Sequence, residues 1–445
     1  MVRVLRAGLS HPWAARAWRW CGRPLLVMVA ALALLATTVI SGQPLVDDLP
    51  PPQPADSAAA RLVVAELGDT VKASGQARGI VLGQRQLDAL GRLTNHGFGT
   101  LRPRVRLGGG RADLALTIVV ARHSFINLEA VVAERRGGFP PVSARVGAVE
   151  LSPATMRWMV ERLWHALGFP PEVGGPDDAV HSLRFTPRQQ VVAVVRVPAS
   201  LLDRVRALVP GGEPGIDPAL VRLYYAHLLE ADLRSGVGAK PFALLVNRAF
   251  ALAEERLPVG NAGEEARAAF VALGMLAVGQ RVAALAGGVV DLGAACTPDP
   301  PALVLAGRQD LPKHFALSAA LGVIFPDRLS RAAGEWKELN DSLPGGSGFS
   351  FVDLLANRAG LRLARITHQR SRDAEAMIRL LARAREAALF PADAIDGLAE
   401  GMSATSFRRI YRSVTDQRYR HTIARLDATL DALPLYRGIP YSDMG

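Results

Sequence analysis

Between Arg308 and Ile366 the chain carries an ordered series of side chains able to do chemistry. The hydrophobic period predicts three helices there, near 310–324, 329–342 and 351–366. On the first, Asp310 and His314 stand four residues apart, with Ser318 one turn further on. On the second, Glu335 and Glu338 are three apart, followed by Asp341 and Ser342. On the third, Asp353 and Asn357 are four apart, and Gly360 follows. Helices joined by short loops pack against each other, so these polar faces are expected to converge on one pocket. His314, Glu338 and Asp353 are the candidate catalytic residues. An imidazole among carboxylates can move a proton near neutral pH or hold a divalent metal ion. Asp310, Lys313, Glu335, Asp341, Ser347, Ser350 and Asn357 form the polar network around them. A divalent metal is chemically possible, but the spacing specifies no cofactor.

Each of these residues also has a structural reading. Ser350 and Asp353 make an S-x-x-D capping box, in which the Asp353 carboxylate bonds the start of its own helix. The preceding GGSG is then a flexible turn. Lys337 and Asp341 form an ordinary i, i+4 ion pair, and His314 can be an interior histidine with one partner. Elsewhere, His227 and Glu230 lie three apart on a helix and read as a surface contact. Cys296, in the turn-like ACTPDPP, reads as an incidental thiol. No phosphate-cradling glycine loop stands between a strand and a helix.

The elements that must position this segment follow from periodicity. Residues 63–198 read as an α+β domain. A helix is expected over Gln84–His96, then alternating strands in RADLALTIVV, FINLEAVVAE and VSARVGAVEL. Ser152-Pro153 starts a helix whose packing face is Met156, Met159, Val160, Leu163 and Leu167. QVVAVVRV closes the domain. From 199 to 445 the chain reads as a larger all-helical domain with helices from Asp217-Pro218, over Phe242–Leu257 and over Glu264–Leu285. Ser371, Ser403 and Thr415 are the expected N-caps of its last third.

Ahead of both domains, residues 24–40 (PLLVMVAALALLATTVI) form an uncharged apolar run. Five arginines and three tryptophans precede it and no acid does, so a transmembrane anchor is expected over 24–42, with a basic cytoplasmic segment at 1–23 and the bulk exported. A cleaved signal peptide is the rival reading. Residues 43–62, with prolines at 50, 51, 52 and 54, are expected to be an extended linker. Five of the eleven net positive charges fall in that N-terminal cluster, and the remaining +6 is ordinary for a chain of this size, so nucleic acid is not an expected partner. Arginine outnumbers lysine 48 to 4 in an Ala-, Gly- and Leu-rich chain, a bias of GC-rich bacterial coding.

Two resemblances add to this reading. The order of helix, antiparallel strands and helix over 63–198 resembles exported lipid-binding-like domains of the YpmS and LmeA type. That implies a curved sheet whose apolar face accepts an acyl chain. D-x-x-K-H-F at 310–315, G-E-W-K-E-x-x-D at 334–341 and G-S-G-F-S-x-x-D-L-x-A-N-x-x-G at 346–360 resemble the YfiM type of periplasmic lipoprotein and, more distantly, the VanZ-like membrane proteins. This chain lacks the lipobox and carries a large domain ahead of the motif. The expected protein is therefore a single-pass inner-membrane protein of the bacterial envelope, facing the periplasm and engaging lipid or peptidoglycan. The alternatives are a His/carboxylate hydrolase acting on an envelope lipid or glycan, metal-assisted or not, and a structural subunit of a membrane complex.

Overall fold

The computed structural model describes residues 37–72, 75–169, 171–198, 216–230, 238–279, 302–325, 327–369 and 371–436, together with 204 and 282. The fold is mixed, with antiparallel sheets followed by helices. Among the described residues no helix is long and apolar enough to cross a membrane. Of the anchor expected over 24–42, residues 24–36 lie outside the described residues, as do Cys21 and Cys296; its end departs from the expectation, because Ile40 and Ser41 pair with a strand of the sheet instead of continuing a spanning helix.

From residue 37 the chain already belongs to the first domain. Strand β1 (Ile40–Ser41) pairs with the later strand at Ile126 and Phe125. Leu45 and Val46 donate their amides to Thr117 Oγ1, at 3.0 and 2.9 Å, and Val46 is fully buried. The extended linker expected over 43–62 is instead a strap on the sheet that runs into helix α1 (Pro54–Lys72). Proline is tolerated in a first helical turn, where its missing N–H would have no partner anyway. Asp56 in that turn accepts from Gln53 N and pairs with Arg92.

After β2 (Ala77–Gly83) comes α2 (Gln84–Phe98), stopped by Gly99 in the left-handed conformation. Strands β3 (Leu101–Gly108), β4 (Arg111–Ala121), β5 (Ser124–Ala133), β6 (Val142–Val146) and β7 (Val149–Leu151) then form an antiparallel meander. Its register puts Leu114, Leu116, Ile118, Ile126, Leu128, Val132, Val142 and Val146 on one face. The neighbours Leu101, Pro103, Val105, Leu107, Ala112, Ala130 and Ala144 make that face apolar throughout, yet only Leu107 and Ala112 on it are buried.

Ser152 caps α3 (Pro153–Ala166) as expected, its hydroxyl accepting from Thr155 N at 3.2 Å. The expected packing face is not buried. No residue of α3 is, and Trp158, Met159 and Leu163 are exposed; only Leu167, just past the helix, is covered. A short helix α4 (Pro176–Ala179) leads to β8 (Val180–Thr186), which periodicity missed. With β9 (Gln190–Arg196) and β2 it forms a second sheet in the order β2–β9–β8, so QVVAVVRV is its central strand.

The helical part holds the continuous core. Helices α5 (Pro218–Leu229) and α6 (Phe242–Arg256) pack around α7 (Ala262–Val278), which is buried on every side from Glu265 to Ala277. The short paired strands β10 (Lys240–Pro241) and β11 (Leu303–Val304) precede α8 (Leu311–Ile324), α9 (Asp327–Asp341) and α10 (Phe351–Gln369). Helices α11 (Ser371–Leu381), α12 (Glu386–Leu389), α13 (Ala404–Tyr411) and α14 (Gln417–Asp431) complete the chain. Ser403 caps α13, but Asp416 rather than Thr415 caps α14.

Small residues let α7, α8 and α10 approach closely. A Cβ on Gly274 would stand 2.8 Å from Ala320 Cβ, and one on Gly360 would stand 2.1 Å from the Phe315 carbonyl oxygen. The two expected domains are not separate layers. Helix α9 packs on α1 and α2 as well as on α10.

Candidate functional site

Helices α8, α9 and α10 fall where the period placed them, and α8 and α10 have a local reason to begin there. Asp310 caps α8 and Pro312 sits in its first turn. Ser350 precedes α10, and its hydroxyl accepts from Asp353 N at 3.0 Å. The loop between α9 and α10, expected as a flexible turn, is held by backbone hydrogen bonds at its end. Gly348 N donates to Asp341 O at 2.7 Å and Phe349 N to Met402 O at 2.8 Å. Gly348 has φ +92°, and a Cβ there would meet the Gly401 backbone at 2.3 Å, so only glycine fits this crossing.

The helices bring His314, Glu338 and Asp353 together, all buried, with one ligating atom from each lying within 4.8 Å of the others. His314 Nε2 is 3.2 Å from Asp353 Oδ2, and His314 Nδ1 is 3.8 Å from Glu338 Oε1. Asn357 Oδ1 stands 3.2 Å from His314 Nδ1 and accepts from Ser318 Oγ at 3.0 Å. With Asn357 Oδ1 as acceptor, His314 Nδ1 is the donor of that contact. The capping box is only half made. Ser350 Oγ caps, but Ser350 N donates to Glu338 Oε2 at 3.2 Å, and the Asp353 carboxylate turns to the histidine instead.

Lys337 lies over this cluster. Its Nζ is 3.4 Å from His314 Nε2, 3.3 Å from Glu338 Oε1 and 2.7 Å from Asp341 Oδ2. Burial pulls the ammonium down, but Glu338, Asp341 and Asp353 outweigh that and leave its pKa raised. Burial pushes Glu338 up to about 7; Lys337 and His314 oppose the shift, while Asp353 and Asp341 add to it. A carboxyl that changes protonation near neutrality beside an imidazole has the components of acid–base chemistry.

The other expected members lie elsewhere. Asp310 is held by Arg308, which also keeps its carboxyl below the usual range, and it does not reach His314. Lys313 and Ser347 are exposed. Asp341 sits at the rim, on Lys337. Glu335 turns away from the cluster. Its Oε2 is 2.7 Å from His96 Nε2 on α2, and its Oε1 accepts from Tyr419 on α14 at 2.9 Å. His227 and Glu230 are 3.7 Å apart at the surface, where Arg248 also holds Glu230.

No family model, curated protein or solved structure matches the chain. The roles of these residues therefore rest on their geometry.

Sequence reasoning missed His96 and Tyr419, whose partner lies 239 and 84 residues away. Tyr419 is buried, its pKa is well above the usual tyrosine value because of that burial and of Glu335, and it stays a donor. Glu335→Ala orphans this hydroxyl and frees His96. It is expected to cost about 1–3 kcal/mol and to speed amide exchange in α2 and α14; unchanged exchange in α2 would show that the contact does not join the two parts.

Proposed function

We propose that the chain is a membrane-anchored protein of the bacterial envelope, its bulk facing the periplasm, that engages lipid through the apolar face of its meander sheet. The observation carrying this reading is the part-exposed face of β3 to β7, apolar throughout, next to α3 with Trp158, Met159 and Leu163 exposed. A contiguous apolar surface left open to water is unfavourable unless something covers it. Acyl chains are chemically apt, since they ask for no hydrogen bonds. A peptidoglycan strand would need polar partners that this face lacks. The part of the apolar run ahead of the sheet-paired strap, residues 24–36, with arginines before it, supports placement at the inner membrane.

The test is the lipid content of full-length protein extracted from membranes without detergent, in polymer-bounded discs, then stripped of bulk lipid and analysed by mass spectrometry. Tightly held acyl lipid is expected at about one per chain, reduced several-fold in the double variant Leu116→Gln, Leu128→Gln. A lipid-free protein with unchanged stability would overturn the reading.

A second reading is supported by the His314, Glu338 and Asp353 cluster. An imidazole facing two desolvated carboxylates is suited to activating water, which favours a hydrolase acting on an envelope lipid or glycan.

A further inference from the structure

We propose that His314, Glu338 and Asp353 form a binding site for a first-row divalent cation, one of the zinc or manganese class, in exchange with the ammonium of Lys337. Three observations carry this. First, one nitrogen and two carboxylate oxygens, one from each of three packed helices, converge within 4.8 Å in a buried spot. This mixed donor set suits such metals better than magnesium, which prefers all-oxygen shells. Second, the cluster contains unpartnered polar atoms. Asp353 Oδ1 and Asn357 Nδ2 have no hydrogen-bond partner although both residues are more than nine-tenths buried. Asp353 Oδ2 stands 3.2 Å from His314 Nε2, so one nitrogen and one carboxylate oxygen already face each other across the spot where an ion would sit. Third, a positive charge already lies against these ligands: Lys337 Nζ is 3.4 Å from Nε2 and 3.3 Å from Glu338 Oε1.

The surrounding bonds are those expected around metal ligands. Asn357 Oδ1 faces His314 Nδ1, which leaves Nε2 for the ion, and Ser350 N holds Glu338 Oε2, leaving Oε1 toward the cluster. Lys337 can leave without loss of its charge partner. Its side chain is 41 % exposed and it already bonds Asp341 Oδ2 at 2.7 Å, toward the surface. Swinging onto Asp341 opens a path for the ion and keeps the ammonium paired. Lys337 therefore acts as a competing cation and not as a ligand. The inference is independent of the lipid reading, since the cluster and the apolar sheet face share no residue.

The experiment is equilibrium dialysis of full-length protein, first against EDTA and then against buffered Zn²⁺, Mn²⁺ or Mg²⁺, with metal measured by elemental analysis and folding by circular dichroism. One Zn²⁺ or Mn²⁺ per chain is expected, and no retained Mg²⁺. Lys337→Met should tighten binding at least tenfold. Asp353→Asn and Glu338→Gln should weaken it at least a hundredfold while remaining folded. With Co²⁺ as probe, the visible absorption band should shift in His314→Gln. Wild-type and Lys337→Met proteins that both emerge metal-free, or stoichiometric binding retained in both Asp353→Asn and Glu338→Gln, would overturn the proposal.

Discussion

Replacing Gly360 with alanine is expected to lower the melting temperature of the full-length protein by roughly 6–12 °C, from a cost of about 3 kcal/mol. The added Cβ would stand 2.1 Å from the carbonyl oxygen of Phe315 and 2.9 Å from its carbon. Both are backbone atoms of α8, so no rotamer change relieves the overlap, and α8 and α10 must move apart. They carry His314 on one side and Asp353 with Asn357 on the other, so the same change should loosen the cluster. Gly137→Ala is the control, because a Cβ there meets nothing within 4 Å and its backbone needs no positive φ. It should melt within about 2 °C of wild type, as exposed substitutions usually do. Equal melting of the Gly360 and Gly137 variants would mean that the helices do not cross as closely as described.

The second large effect is on pH. Glu338 has a folded-state pKa of about 7, above the ordinary carboxylate range, because burial disfavours its charge. Below the unfolded value both states hold the proton and the shift costs nothing. As pH rises between the two values, the unfolded chain releases its proton while the fold retains it, so stability falls; above about 7 the loss is complete. From the size of the shift, chelated wild-type protein should lose about 3 kcal/mol through this residue between pH 5 and pH 8. Glu338→Gln cannot ionise, yet its amide oxygen can still accept from Ser350 N. Denaturant titrations should find the two proteins nearly equal at pH 5 and the variant about 3 kcal/mol more stable at pH 8. An offset that is the same at both pH values would show that Glu338 is not ionising in the fold.

The sequence made the helices legible and the partners much less so. The starts of α3 and α10 could be read because serine and proline at a helix start act through bonds of three residues or fewer, whereas the cap of α8, Asp310, was read as a site residue. The meander was legible because its alternation survives on both faces. What periodicity could not show was coverage. Met159 and Leu163 are as apolar as any core residue, and only the finished packing leaves them outside. The strand Val180–Thr186 has a histidine, a serine and an arginine among its apolar residues, which hid its period.

Within the chemical segment, same-face spacing placed His314 with Glu338 and Asp353 in one neighbourhood. It could not separate Glu338 from Glu335, since residues three apart share a helix face. Only the tertiary neighbours, Ser350 for one and His96 with Tyr419 for the other, assign the two carboxylates to different contacts. Asp310 was drawn away by an arginine two residues upstream, a contact too local to register as a departure from the pattern.

The strap over 37–46 sets a limit on maturation. Thr38 O accepts from Ala148 N at 2.8 Å, Ile40 and Ser41 pair with β5, and Val46 is buried on Thr117. The last residues of the apolar run therefore serve the folded domain as well as the N-terminal segment. A peptidase cutting just after that run, near Gly42, would strip a strand from the sheet. Any trimming that leaves the domain whole has to fall before Thr38, inside the apolar run itself.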